Sequence, residues 1–228
     1  MSARNLIKSF QYALNGLIHA VSTQRNMRIH FIMALFVMLL SLVLGVNRWE
    51  ALLLFVAITL VIITELFNTA IEAIVDLATE QFHPLAKIAK DVAAGAVFLT
   101  SGLAIAIGMT VFIPYFYDPA HLTMFKRFYS PNVGAVFILG LVLFTTIFMK
   151  AVASHQKWRM NPSLTTSLAL SIVLLVWVMT FHLIVSLLVT ILCLLLVGSR
   201  LRLQPEWPPV VAGAVVGCLV TIVGLLII

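Results

Sequence analysis

Residues 51–91 read ALLLFVAITLVIITELFNTAIEAIVDLATEQFHPLAKIAKD. The stretch opens as an apolar run of helical length, and three carboxylates, Glu65, Glu72 and Asp76, stand inside that run or at its end. The whole chain holds only 8 acidic residues in 228. An ionised side chain at membrane depth is expensive, so it faces a bundle interior or a watery cavity and marks a working position. At about 100° per residue the three acids project within roughly 40° of one another, with Asn68 close to the same side. This stretch therefore reads as a membrane span that carries an acidic face.

The composition agrees. Hydrophobic residues make up 62% of the chain and charged residues 10%, whereas a soluble domain carries about 25% charged residues. Apolar runs of spanning length recur and are continuous rather than alternating, which predicts an all-α integral membrane protein and excludes a closed barrel. The formal net charge of +6 is spread over short loops with no dense basic stripe, so it reads as topology and excludes a nucleic-acid partner. Cys193 and Cys218 lie in apolar runs without metal or redox spacing. Residues 1–28 lack the compact apolar core of a cleavable signal.

Leu6, Phe10, Leu14, Leu17, Ile18 and Val21 recur at helical spacing with Lys8, Gln11 and Asn15 between them, the pattern of an amphipathic helix lying on the membrane surface. Spans follow at about 29–46, 51–77, 92–113, 133–153, 164–181, 183–199 and 209–228, with the boundary near Phe181-His182 the weakest. An N-in topology places eleven basic residues inside (Arg4, Lys8, Arg25, Arg28, Lys87, Lys90, Lys150, Lys157, Arg159, Arg200, Arg202) and Arg48, Lys126 and Arg127 outside. That split follows the positive-inside rule. It turns the loop from His83 to Asp91 towards the cytoplasm, where ATP is. The segment 114–132, rich in proline and aromatics, divides residues 1–113 from residues 133–228.

Aligned carboxylates have a chemical use: one accepts a proton from a hydroxyl while another holds a divalent cation. Lys87, Lys90 and Asp91 follow in the next loop, and lysines beside such a site suit a polyphosphate, because phosphoryl transfer rests on positioning and charge neutralisation. No G-x-x-x-x-G-K-[ST] occurs, so this is not a P-loop enzyme. Two other readings stand beside this one. Asp76 can be a helix-end cap, and the lysines can anchor to anionic headgroups.

The motifs E-x-x-N-T-A-I-E-x-x-V-D-L and H-P-L-A-K-x-A-K-D-x-A-A-G-A-V resemble the prokaryotic diacylglycerol kinase family, and NTAIE, HPLAKIAKD and AAGAV look most like its undecaprenol kinase branch. FQYALNGL and QRNMRIH are also similar to the family's surface helix and the start of its first span. The resemblance covers about residues 5–113. It implies a three-span enzyme, usually a homotrimer with sites shared between neighbours, that moves the γ-phosphate of Mg-ATP to a lipid hydroxyl. By motif, Glu65 looks like the general base and Glu72 like a metal ligand. Asn68 and Asp76 would support the site, and Tyr12, His83, Lys90 and Asp91 would contact the nucleotide. Gln24 stands where the family often has a second metal-binding Glu, so it brings an oxygen without charge; either metal binding is weaker, or Asp76 or Glu80 compensates. Asn26, Arg28 and His30 also match the branch, with interfacial anchoring as their alternative.

The second half resembles, more faintly, the last two motifs of the type 2 phosphatidic acid phosphatases. Pro162-Ser163 leads into Leu164-Thr165 without the expected histidine. Ser199-Arg200 is kept, but Glu206 and Val210 stand where the nucleophilic histidine and its aspartate belong. The resemblance implies a catalytically degenerate phosphatase-like domain over 133–228; an ordinary basic anchor is the alternative for Ser199-Arg200. The expected function is a membrane lipid kinase acting on undecaprenol or diacylglycerol, with Mg²⁺, ATP, membrane lipids and a homo-oligomer as partners. Its rival is a non-enzymatic lipid-binding membrane protein.

Overall fold

A computed structural model of the chain describes residues 3–79, 81–117, 131–156, 161–180, 182–203 and 205–227. Its elements are all helices: α1 (Ala3–Thr23), α2 (Arg25–Leu44), α3 (Arg48–Ala78), α4 (Pro84–Tyr117), α5 (Pro131–His155), α6 (Leu164–Thr180), α7 (Leu183–Leu203) and α8 (Trp207–Ile227). Six of them are long and apolar enough to cross a bilayer, and α6 is a further apolar helix one residue below that length class. Its 17 residues reach about 25 Å, the short end of what a hydrocarbon core accepts. The chain is a multi-pass helical membrane protein. Glu80, Lys157, Arg159, Phe181 and most of the 114–132 segment lie outside the described residues.

The helices fall into two compact units, Met1–Ala34 with Arg48–Lys126, and Leu35–Asn47 with Arg127–Ile228. The second half of α2 thus groups with the C-terminal helices, which a division at residue 113 does not anticipate.

In the first unit α3 and α4 form the main helix pair and α1 touches α3. The Thr64 and Thr100 hydroxyls lie 2.8 Å apart and join α3 to α4. One hydroxyl donates to the other, and the acceptor donates in turn to a carbonyl of its own preceding turn, so neither hydroxyl is stranded in an apolar interface. Pro114 does not end α4. Its ring removes one intrahelical bond, yet Tyr115 anchors the turn beyond by donating its hydroxyl to Glu50 Oε2 at 2.5 Å. The predicted linker consequently begins inside a helix. Only 11% of the α4 span is buried, and the rest of its surface suits lipid.

In the second unit α2 ends at Gly45, whose φ of 62° is open to glycine and strained for most residues. Gly45 N–H donates to Leu42 and Val46 N–H to Ser41, each at 3.3 Å. This pair of bonds closes the carbonyl end of a helix. Helices α6 and α8 pack through small residues. A Cβ on Gly213 would stand 2.6 Å from the Ser163 carbonyl oxygen, and one on Gly217 2.4 Å from that of Ser167. Ser167 Oγ lies 2.9 Å from the Gly213 carbonyl, and Thr221 Oγ1 lies 2.7 Å from Ser171 Oγ. Close backbones joined by hydroxyls are how helices associate where lipid removes the hydrophobic drive.

Candidate active site

Helix α3 has 31 residues and is therefore about 46 Å long, against a hydrocarbon core of about 30 Å. It is longer than that core is thick, and the exposure of its polar residues rises towards its C-terminal end. Glu65 is 2% exposed and Asn68 5%, Glu72 is half-buried, and Asp76 is exposed. Asn68 Nδ2 donates to Glu72 Oε1 at 3.0 Å, one helical turn away. Glu65 Oε2 and Asn68 Oδ1 are buried without a hydrogen-bond partner. A buried oxygen left so is costly, and both atoms are acceptors: they suit a donated hydroxyl proton or a hard cation.

Beyond the membrane end of α3 the chain turns back quickly. Thr79 Oγ1 lies 2.9 Å from the Gln81 carbonyl and accepts the Gln81 N–H at 3.2 Å. His83 caps α4: its Nδ1 accepts the Leu85 N–H at 3.2 Å, with Pro84 at the first helical position, where a missing donor costs nothing. This capping role was not visible in the motif. It fixes the imidazole and leaves Nε2 as the nitrogen available to a ligand.

The turn and the two helices enclose a cleft of about 330 Å³ lined by Asp76, Phe82, His83, Lys87, Lys90 and Asp91 among others. Lys90 Nζ and Asp76 Oδ1 are 2.5 Å apart, joining α4 to α3 across it. Asp76 is therefore a partner of Lys90. Lys87, which the residue pattern offered only as a neighbour, lines the cleft as well.

Other expected residues are not gathered here. Tyr12 is 70% exposed on α1. Gln24 stands at the one-residue break between α1 and α2, where its carbonyl accepts the Arg28 N–H at 3.3 Å. No group of three or more His, Cys, Asp or Glu side chains clusters as a metal site among the described residues, so a cation would depend on Glu72, a neutral oxygen and its own ligand's phosphates. In the C-terminal half, Ser163 is the N-cap of α6, with its Oγ 3.4 Å from the Thr166 N–H. Glu206, His155 and His182 are exposed, and Val210 is buried.

The sequence pattern of the family described as Prokaryotic diacylglycerol kinase matches residues 11–112. Over 113 residues the chain is 43% identical to a diacylglycerol kinase of Synechocystis sp., an overlap of 49% of this chain and 65% of the relative's length. Over 107 residues it is 39% identical to an undecaprenol kinase of Bacillus subtilis, covering 47% of this chain and 87% of that protein. A diacylglycerol kinase of Escherichia coli is 31% identical over 100 residues, 44% of this chain and 82% of its own length. No solved structure matches the chain. The acidic face of α3 and the cleft beside it both lie inside the matched segment, and by that match the chain belongs to the prokaryotic diacylglycerol kinase family of membrane lipid kinases.

Proposed function

We propose that this protein transfers the γ-phosphate of Mg-ATP to the hydroxyl of undecaprenol or a similar polyprenol. Diacylglycerol is the alternative acceptor, and the setting is a bacterial inner membrane with the N-terminus and the site on the cytoplasmic side. The observation that carries this reading is the buried, unpartnered Glu65 Oε2, placed on α3 below a cleft that holds two lysines. An apolar span carrying such an acceptor is suited to a lipid hydroxyl, and a basic cleft above it to a polyphosphate.

In this reading Glu65 takes the proton of the lipid hydroxyl. The freed oxygen forms its bond to the γ-phosphorus as the bond to the β–γ bridging oxygen breaks, and ADP leaves. Lys90, with Asp76 holding it across the cleft, and Lys87 offset phosphate charge. Asp91, His83 and Tyr12 orient the nucleotide. Glu72 and Gln24 would hold Mg²⁺, with the Asn68 Oδ1 orphan directed at the same need for a hard cation. When bound, the ion neutralises charge on the phosphates. A homotrimer with sites shared between copies belongs to the same reading, as does the basic-residue split that turns the cleft to the cytoplasm.

The test is an incubation of the purified chain with γ-labelled ATP, Mg²⁺ and either undecaprenol or diacylglycerol. Label should appear in a lipid phosphate, with undecaprenol the better acceptor. Absence of labelled lipid with both would refute the activity.

A further inference from the structure

We propose that Thr64 on α3 and Thr100 on α4 are positioning residues for phosphoryl transfer. Their paired hydroxyls hold α4 in register on α3 when the Asp76–Lys90 pair opens to admit a nucleotide. The proposal rests on the lipid-kinase reading and adds to it two residues that belong neither to the acidic face nor to the cleft.

Polar ties join α3 to α4 at both ends and in the middle. Tyr115 donates to Glu50 Oε2 at one end, the Thr64 and Thr100 hydroxyls meet at 2.8 Å in the middle, and Lys90 Nζ lies 2.5 Å from Asp76 Oδ1 at the other end. These pairs share a single antiparallel register to within a residue. From Thr64 to Asp76 is 12 residues of α3, about 18 Å. Glu65, Asn68 and Glu72 all stand between those two ties.

The ties differ in what can break them. Lys90 and Asp76 have side chains 37% and 67% exposed, an environment in which an ion pair holds weakly. A polyphosphate in the cleft also competes with Asp76 for the ammonium. The tie nearest the chemistry is therefore weakest when the nucleotide is in place. The threonine pair carries no charge for a phosphate to capture. It is part-buried between two apolar helices, where little water competes for a hydroxyl and bonds between helices persist.

Register matters because the proposed machinery is divided between the helices. The lysines that offset phosphate charge stand on α4, and Glu65 stands on α3 beside Thr64. Sliding one helix past the other thus changes the separation of lipid oxygen and phosphorus. A slip of one residue is about 1.5 Å, and a misplacement of about 1 Å can lower a rate about 10²-fold. A Cβ on Gly95 or Gly102, which flank Thr100, would meet nothing within 4 Å. These glycines make no interlocked contact that resists a slip, whereas a short, directional hydrogen bond does.

The experiment measures Mg-ATP-dependent lipid phosphorylation by the full chain, per folded molecule, with melting temperature in detergent alongside. Thr64→Val and Thr100→Val keep the branched shape and remove the hydroxyl. The partner left behind returns to a carbonyl of its own turn, so neither variant strands a polar group. Each should lower kcat about tenfold or more while KM for ATP stays within about twofold of the parent's. The double variant should be no slower than the slower single one, because both changes break the same bond. Thr100→Ser keeps the hydroxyl and should retain the parent's kcat. A pair that only stabilises the fold would lower melting temperature and leave kcat per folded molecule unchanged. Should a valine variant fail to fold, Thr64→Ala or Thr100→Ala removes the hydroxyl with less bulk and should show the same loss of kcat. Parent-like kcat in folded variants that lack the hydroxyls, or additive losses in the double variant, overturns the proposal and leaves the kinase reading intact. A parent chain that labels neither undecaprenol nor diacylglycerol overturns both.

Discussion

Glu65 separates the two jobs a membrane carboxylate can have. Two acids of this face have side-chain partners, Glu72 with Asn68 and Asp76 with Lys90; Glu65 Oε2 is buried and has none. Glu65→Gln keeps the shape and removes the proposed base. It should lower lipid phosphorylation by about 10²- to 10⁴-fold while melting temperature stays close to that of the parent; near-normal turnover would remove Glu65 from the mechanism. Gln24→Glu adds a charge at the expected metal position, so the Mg²⁺ concentration for half-maximal activity should fall. An unchanged metal dependence would place Gln24 away from the ion. The acidic face was legible because helical periodicity aligns residues 65, 72 and 76 whatever surrounds them. The Lys90–Asp76 pair was not, since it depends on how sharply the chain turns between α3 and α4. That turn is set by the Thr79 hydroxyl and the His83 cap, two local bonds with no periodic signature.

At the scale of the element, span positions were legible from apolar length, and helix ends less so. The α4 helix passes through Pro114, and just beyond it Tyr115 is tied to Glu50, a contact between residues far apart in sequence. The packing of α6 on α8 was equally hidden: GAVVG and SLTTS are unremarkable separately, and only their apposition makes the glycines necessary. Gly217→Val would drive its side chain into the Ser167 backbone, 2.4 Å from the first added atom. The change should cost at least about 1–3 kcal/mol, seen as a lower melting temperature in detergent. Gly102→Ala, where an added Cβ meets nothing within 4 Å, should be silent by the same measurement. Equal effects of the two would mean that α6 and α8 do not pack this closely.

For the whole molecule, a cut after residue 130 separates chemistry from support. Every residue of the acidic face and the cleft is retained, but Leu35–Asn47 loses the unit it groups with. The truncated protein should keep Mg-ATP-dependent lipid phosphorylation per folded molecule and melt at lower temperature. A folded truncation with no activity would show that the C-terminal helices contribute to the reaction.

The length of α3 also acts as a ruler. From Glu65 to Asp76 is 11 residues, about 16 Å along the axis, so the proposed proton acceptor and the cleft stand at different heights along α3. In the proposed reaction a substrate would then be chosen by how high it carries its hydroxyl, with little need for a pocket shaped to its tail. Alcohols with no charged group between hydroxyl and hydrocarbon, such as polyprenols and diacylglycerol, carry it lower in the bilayer, on the side of Glu65. Phosphatidylglycerol, whose free hydroxyls stand outside its own phosphate, should take no label under the same assay. Its failure beside the success of the polyprenol and diacylglycerol would mark depth as the selecting variable, and efficient labelling of it would mean that the height of Glu65 sets no limit.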